Sequence, residues 1–388
     1  MVSPIFLNFE LSNPKRHQMK KLLYILMIGL APLSAKAQKM TVGSCTMHDG
    51  SVYKGEMQAG KPYGKGRTEY TNMDVYEGEY VKGLRNGQGT YLFADGRRYE
   101  GMWYKDYQHG KGTFYFTNNN KYVGAWYKNL QQGIGTMYYY NEDRYEGEWE
   151  KDKRDGKGRY TFANGAYYDG EWKDDKKNGR GLFVWENGES YEGQWQNDIR
   201  QGKGLYRYAN GDNYSGDWKN DLQNGKGIYR FQNGDVYEGG YVDGHRSGEG
   251  MLKYVNGDRY IGRFLNGDKD GQGTLQWANG DVYTGQWKND MQNGQGKLVK
   301  KNGDRFEGHF KDGNINGEVV IHYADGSRFK GSYENGKRNG SAIEEDNEGI
   351  RFEGTYVNDR RDGAFVEKDR NGQIVKKGTY KNGVRYED

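Results

Sequence analysis

Three observations predict an all-β fold built from repeats. A three-part pattern returns every 23 residues from Tyr53 onward without slipping a position, which marks a repeat architecture. Glycine is dense, 62 in 388 residues, and each glycine costs a helix interior about 1 kcal/mol relative to alanine. Beyond residue 37 the only proline is Pro62, placed by the pattern in a turn. That scarcity suits a continuous ladder of backbone hydrogen bonds.

The chain opens on a segment set apart from the repeats. Lys15, Arg16, Lys20 and Lys21 precede an apolar run from Leu22 to Leu33, and Ala35-Lys36-Ala37 then supplies a small-x-small cleavage site before Gln38. This order predicts a secretory signal of bacterial type, and with it an exported product, periplasmic or at the cell surface. The run is too short for a membrane anchor, which needs about 20 apolar residues. Met19-Lys20-Lys21 would itself be a normal signal start, so residues 1–18 are expected to be an over-extended beginning of the reading frame. Removing residues 1–37 takes away five Lys/Arg and one Glu from 58 and 54, leaving equal numbers of each sign. The basic footprint of a nucleic-acid binder or an anionic-membrane binder is therefore missing.

Cys45 is the single cysteine, so no internal disulfide can form. Gly43 occupies the place of the second glycine in the repeat's Gly-x-Gly. That puts Cys45 in the column later held by Tyr91, Phe114 and Tyr160, as a small buried hydrophobe of an incomplete first repeat.

Each full unit holds an aromatic-x-Gly-x-aromatic segment (Tyr76, Gly78, Tyr80; Tyr145, Gly147, Trp149; Phe352, Gly354, Tyr356). A polar-Gly-x-Gly segment follows (Asn86, Gly87, Gly89; Asp155, Gly156, Gly158), then an Asn-Gly or Asp-Gly turn (Asp95-Gly96, Asn164-Gly165, Asn279-Gly280); fourteen copies can be counted. Two aromatic and β-branched runs separated by turn residues read as two strands. Met73, Asn119 and Glu142 stand where the turn glycine is expected and predict turns of altered shape. Because strand side chains alternate faces, Tyr145, Gly147, Trp149, Gly156, Gly158, Tyr160 and Phe162 share an aromatic face. Its glycines leave bare backbone for rings to lie on. The opposite face carries a Glu column (Glu77, Glu100, Glu146, Glu192, Glu238) and a Lys/Arg column (Lys65, Lys111, Lys157, Arg180, Lys203, Lys226), expected to pair across strands.

The combination of Tyr-x-Gly-x-Trp, Asn-Gly-x-Gly and Asn-Gly-Asp-x-Tyr, cleanest in Asn210 to Gly227 and Asn279 to Gly296, resembles the MORN repeat (membrane occupation and recognition nexus). The resemblance runs from about Thr41 to Gly383. It implies one β-hairpin per repeat, about 14 in all, stacked edge to edge into an elongated, single-layer, twisted antiparallel sheet with a groove. At about 4.8 Å per strand such a sheet is a rod on the order of 130 Å long. The regular array is placed at residues 38–305. From Phe306 the leading Tyr becomes Phe and Gly-x-Gly decays to Gly317-Glu318-Val319, Gly340-Ser341-Ala342 and Gly363-Ala364-Phe365. Residues 306–388 are therefore read as divergent repeats and a C-terminal cap.

No catalytic constellation is present. The six histidines do not cluster at ligand spacing, Gly-x-Gly opens strands rather than a helix, and no nucleophile elbow occurs, so no metal, cofactor or enzyme activity is predicted. The expected function is a scaffold of the bacterial envelope that binds a protein along its groove. The alternatives are a lipid-associated module or a cell-wall glycan binder that uses the ring ladder, for which Trp126, Trp149, Trp172, Trp195 and Trp218 are the candidate residues. Open sheet edges make a homo-oligomer a further possibility.

Overall fold

The computed structural model describes residues 39–387; the expected leader and the alternative start at Met19 lie outside the described residues. Among these residues every element is a strand, and 32 strands form one antiparallel sheet in chain order, the two pieces Arg360–Arg361 and Gly363–Lys368 both pairing with Arg351–Val357. The excess over two strands per repeat has three sources. A partial repeat opens the sheet at Thr41–Thr46, a short hairpin closes it at Ile374–Lys381 and Val384–Glu387, and one strand is split into Arg360–Arg361 and Gly363–Lys368.

The unit from Arg144 to Ala166 shows why these residues fold this way. Arg144–Glu150 and Lys153–Thr161 are strands joined by Lys151-Asp152. Both turn residues have positive φ, 51° and 66°, the conformation that lets a two-residue turn follow the twist of the strands it joins. The connection to the next unit closes by Phe162 N–H to Ala166 O at 2.9 Å and Gly165 N–H to Phe162 O at 3.0 Å. Met73 and Glu142 close the same turn, their N–H groups 3.0 and 3.1 Å from Tyr70 O and Tyr139 O. They hold φ near 70° and Asn119 holds 64°. The turns expected to change shape keep it, with left-handed strain absorbed at non-glycine residues. Pro62 lies just inside the strand Lys61–Glu69 rather than in the turn before it.

Each unit contains a β-bulge. The pairing of Arg144–Glu150 with Lys153–Thr161 shifts between Gly147 and Trp149, leaving Glu148 without a partner residue across that ladder. Its carboxylate accepts the Lys157 N–H at 3.1 Å. Glu79, Glu171 and Asp217 do the same for Gln88, Arg180 and Lys226. The strand register corrects the expected charge pairing. On the next strand along, the Lys/Arg column faces this second acidic position (Lys65 with Glu79, Lys157 with Glu171, Lys203 with Asp217), not the Glu77 column. Glu100 and Glu146 instead pair along their own strands with Arg98 and Arg144.

The core lies on the aromatic face. Tyr145 is fully buried and donates its hydroxyl to Glu148 O at 3.0 Å, a bond repeated by the leading tyrosine of every unit from Tyr53 to Tyr283. The ring lies directly on glycine backbone: a Cβ on Gly158 would meet Tyr145 ring atoms at 2.2–2.6 Å. One core cluster runs from Tyr53 to Phe310, and a second from Val319 to Tyr380. Cys45 packs against the first but stays half-buried, because its strand is the sheet's edge.

Candidate binding groove

The five central tryptophans form the floor of the aromatic face. Trp126, Trp149, Trp172, Trp195 and Trp218 are only 5–6 % exposed. Each stands edge-on between two tyrosines; Trp172, for example, meets Tyr145 and Tyr168 at 5.4 and 5.1 Å. Their indole N–H groups donate to Gly112, Gly135, Gly158, Gly181 and Gly204 carbonyls at 2.9–3.3 Å.

A column not recognised in the sequence covers several of these rings. Arg154, Lys177 and Arg200 lie 4.3, 4.5 and 4.6 Å over Trp172, Trp195 and Trp218, and Arg85 lies 4.4 Å over Trp103. Each arginine is held by a fork from the next unit. The Arg200 backbone N–H and Nε donate to Asp221 Oδ1 at 2.9 and 3.0 Å, and its terminal nitrogen donates to Asp221 O at 2.9 Å. Arg85 with Asp106 and Arg154 with Asp175 repeat this geometry. Burial pushes the Lys177 ammonium below its ordinary pKa, against the raising influence of Asp198. Over Trp126 and Trp149 the equivalent positions are the neutral Gln108 and Gln131. Both tryptophans line an open hollow of about 710 Å³ there, with Phe93, Phe116 and Tyr139 among its walls.

Those walls belong to a second ring series that sequence reasoning did not single out. Tyr139, Tyr160, Phe162, Phe183, Trp185, Tyr206, Tyr208, Tyr229 and Phe231 form an unbroken ladder, with centroids alternately 4.5–4.7 and 5.4–5.8 Å apart. Tyr70, Tyr91, Phe93, Phe114 and Phe116 continue it toward the N-terminus, and Met137 fills the gap between the two runs. Trp185, Tyr208, Phe231 and their equivalents pack against the core on one side and are half-buried. Parity had placed Phe162 on this face. The missing signal was that its column sits at the strand end, where neighbours on only one side leave ring surface open. The ladder is anchored by Tyr160 donating to Asp143 Oδ2 at 2.6 Å, while Asp143 Oδ1 accepts the Ala163 N–H at 2.9 Å. Burial alone would raise the Asp143 carboxyl, but these donors outweigh it and hold its pKa below the usual range.

The fold and this groove define a class: a single-sheet array of like hairpins whose leading rings pack over glycine and whose open side is an aromatic furrow interrupted at Met137. The MORN repeat family model matches residues 76–97 and 99–350 in twelve consecutive repeats, more than half of the chain, and the protein belongs to that family. No curated protein matches it. Among solved structures it is similar to the TCP10 domain of Danio rerio CPAP in complex with a peptide of Danio rerio STIL (17 % identity, 52 % of this chain and 96 % of that one, TM-score 0.32). It is also similar to the TCP10c domain of Drosophila melanogaster Sas-4 (18 %, 40 % and 93 %, 0.26) and to virginiamycin B lyase from Staphylococcus aureus (11 %, 74 % and 97 %, 0.13). At such TM-scores none of these bears on partner or activity.

Proposed function

We propose that this MORN-repeat chain is a non-enzymatic scaffold that binds an extended polypeptide along its aromatic groove, in the bacterial envelope after export through the leader at residues 1–37. The observation that carries this is the half-buried outer rings of the ladder, Tyr139, Phe162, Trp185, Tyr208 and Phe231, ring surface left open beside a part-buried polar column. An extended chain suits both features, since apolar side chains can lie on the rings while its backbone faces the Arg-Asp forks. The central tryptophans enter as the floor of that groove.

The test is a pull-down with the purified chain against envelope proteins, lipid vesicles and wall polysaccharide kept separate, run beside a Trp185→Ala/Tyr208→Ala variant. Recovery of a protein that the variant loses supports the scaffold. Retention by polysaccharide alone would move the function to glycan stacking, which the flat half-buried rings of Trp185 and Trp277 favour as the second possibility. Mapping the N-terminus of the exported product tests the leader and the start at Met19.

A further inference from the structure

We propose that two copies of this chain associate antiparallel along one edge of the sheet, through the tips of the two-residue turns. The proposal is independent of the groove. The first residue of each turn is left-handed and exposed. In four successive units it is lysine, Lys82, Lys105, Lys128 and Lys151, at φ of 53°, 47°, 49° and 51°. In the next seven units, from Asp174 to Asp312, it is Asn or Asp. Asn and Asp are the side chains that tolerate this conformation and lysine is not, so four consecutive lysines there point to a requirement for their charge.

The same tips expose apolar side chains, Ile199 and Leu222 at 39 and 46 % among them; those that pair between copies lie on either side of these two. Leu84, Tyr104, Tyr107, Tyr127 and Leu130, which are 37–51 % exposed, flank the lysines; Val242, Leu265 and Met291, at 54, 53 and 43 %, flank Asp243, Asn266 and Asn289. Both copies share the 23-residue period, so one match fixes all the others. With Lys128 of one copy against Asp243 of the other, Lys105 meets Asn266 and Asp268, and Lys82 meets Asn289 and Asp290. Tyr127 and Leu130 then cover Val242, Tyr104 and Tyr107 cover Leu265, and Leu84 covers Met291. In the acidic half Lys219 falls near Asp152, while Lys173 is already paired with Asp155 of its own chain. The two-fold axis falls between the Asp174 and Asn197 tips, near the middle of the core cluster that runs from Tyr53 to Phe310. Every contact is therefore made twice and the assembly closes at two copies. A partner without this period could not match tip to tip.

Sedimentation equilibrium of the purified chain tests the proposal. A dimer is expected, and Lys105→Glu/Lys128→Glu should weaken it at least tenfold, as should Asp243→Lys/Asp268→Lys. An equimolar mixture of the two variants should recover wild-type affinity, because every contact is then between opposite charges. Trp185→Ala, in the groove, should leave the dimer unchanged. A monomer at all concentrations, a dimer indifferent to both charge reversals, or open-ended filaments formed through the sheet's edge strands would overturn it.

Discussion

The regular array and the C-terminal repeats solve the same packing problem differently. From Tyr53 to Tyr283 the leading ring is a tyrosine whose hydroxyl is bonded three residues on, which draws the ring flat across two glycines. In the last three units the ring is Phe306, Phe329 or Phe352, with no hydroxyl to hold it. The second glycine has become Val319, Ala342 or Phe365. The two changes are coupled. Gly308 now faces Val319 and Gly331 faces Ala342, and Phe352 stacks on Phe365 at 5.9 Å. A side chain fills the space that the pinned tyrosine ring occupied. The cap also gains a charged network, with Arg361 bonded to Glu344 and 3.8 Å over Phe352. The two regions teach that the repeat is specified by a ring and glycine together, not by either alone.

The largest expected effect comes from breaking that pair. Gly158→Ala places a Cβ against the Tyr145 ring and should cost about 3 kcal/mol, whereas Ala342→Gly should cost about 1 kcal/mol; urea unfolding with amide exchange resolved by repeat would show both. If the hydroxyl is what excludes the Cβ, Tyr145→Phe/Gly158→Ala will cost less than its two single changes summed; strict additivity would refute the coupling.

Alkaline titration should separate the regions next. Burial pushes Tyr53, Tyr237 and Tyr283 up to about 12 from 10.0. A pKa raised in the folded state means stability is complete below about pH 10 and is lost as pH rises through 12, once only the unfolded chain can ionise. Exchange protection should therefore fall over pH 10–12 in the array and less in the last three units, whose leading phenylalanines do not titrate and which keep fewer raised tyrosines, Tyr333 and Tyr356 at about 12.

Within the array, Arg200→Met removes the Asp221 fork and should cost about 1.5 kcal/mol, against about 0.5 kcal/mol for Gln223→Met one unit on. Equal costs would show that the fork contributes no more than packing. The smallest effect has the opposite sign: Glu142→Gly relieves a left-handed residue and should stabilise its unit by about 0.5–1 kcal/mol, readable as a rise in thermal midpoint.

Much of this was legible in the sequence. The 23-residue period gave the unit, alternation gave the two faces, and the glycines opposite Tyr145 announced rings lying on backbone. What escaped had a common cause. Alternation assigns a face but not a register, and the register sets glycine opposite glycine, Gly158 facing Gly147 on one side and Gly170 on the other, so Lys157 meets Glu171 while Arg159 meets Glu146. The cation column escaped because Gln108, Gln131, Gln223 and Gln292 interrupt its charge, although its spacing never varies. The tryptophans drew attention through their size, yet ring size measures what packing consumes. Open ring surface instead lies where a strand ends, at Phe162, Trp185 and Tyr208.

The two-residue turn, the bulge and the five-residue connection together lock each unit at one length. Removing a single residue from a strand would carry its side chains to the opposite face, while removing a whole unit would keep the register of the strands that remain. The span of this molecule is thus quantised: it can grow or shrink by duplication or loss only in steps of about 9.6 Å, two strand spacings, like a ruler whose markings cannot be subdivided.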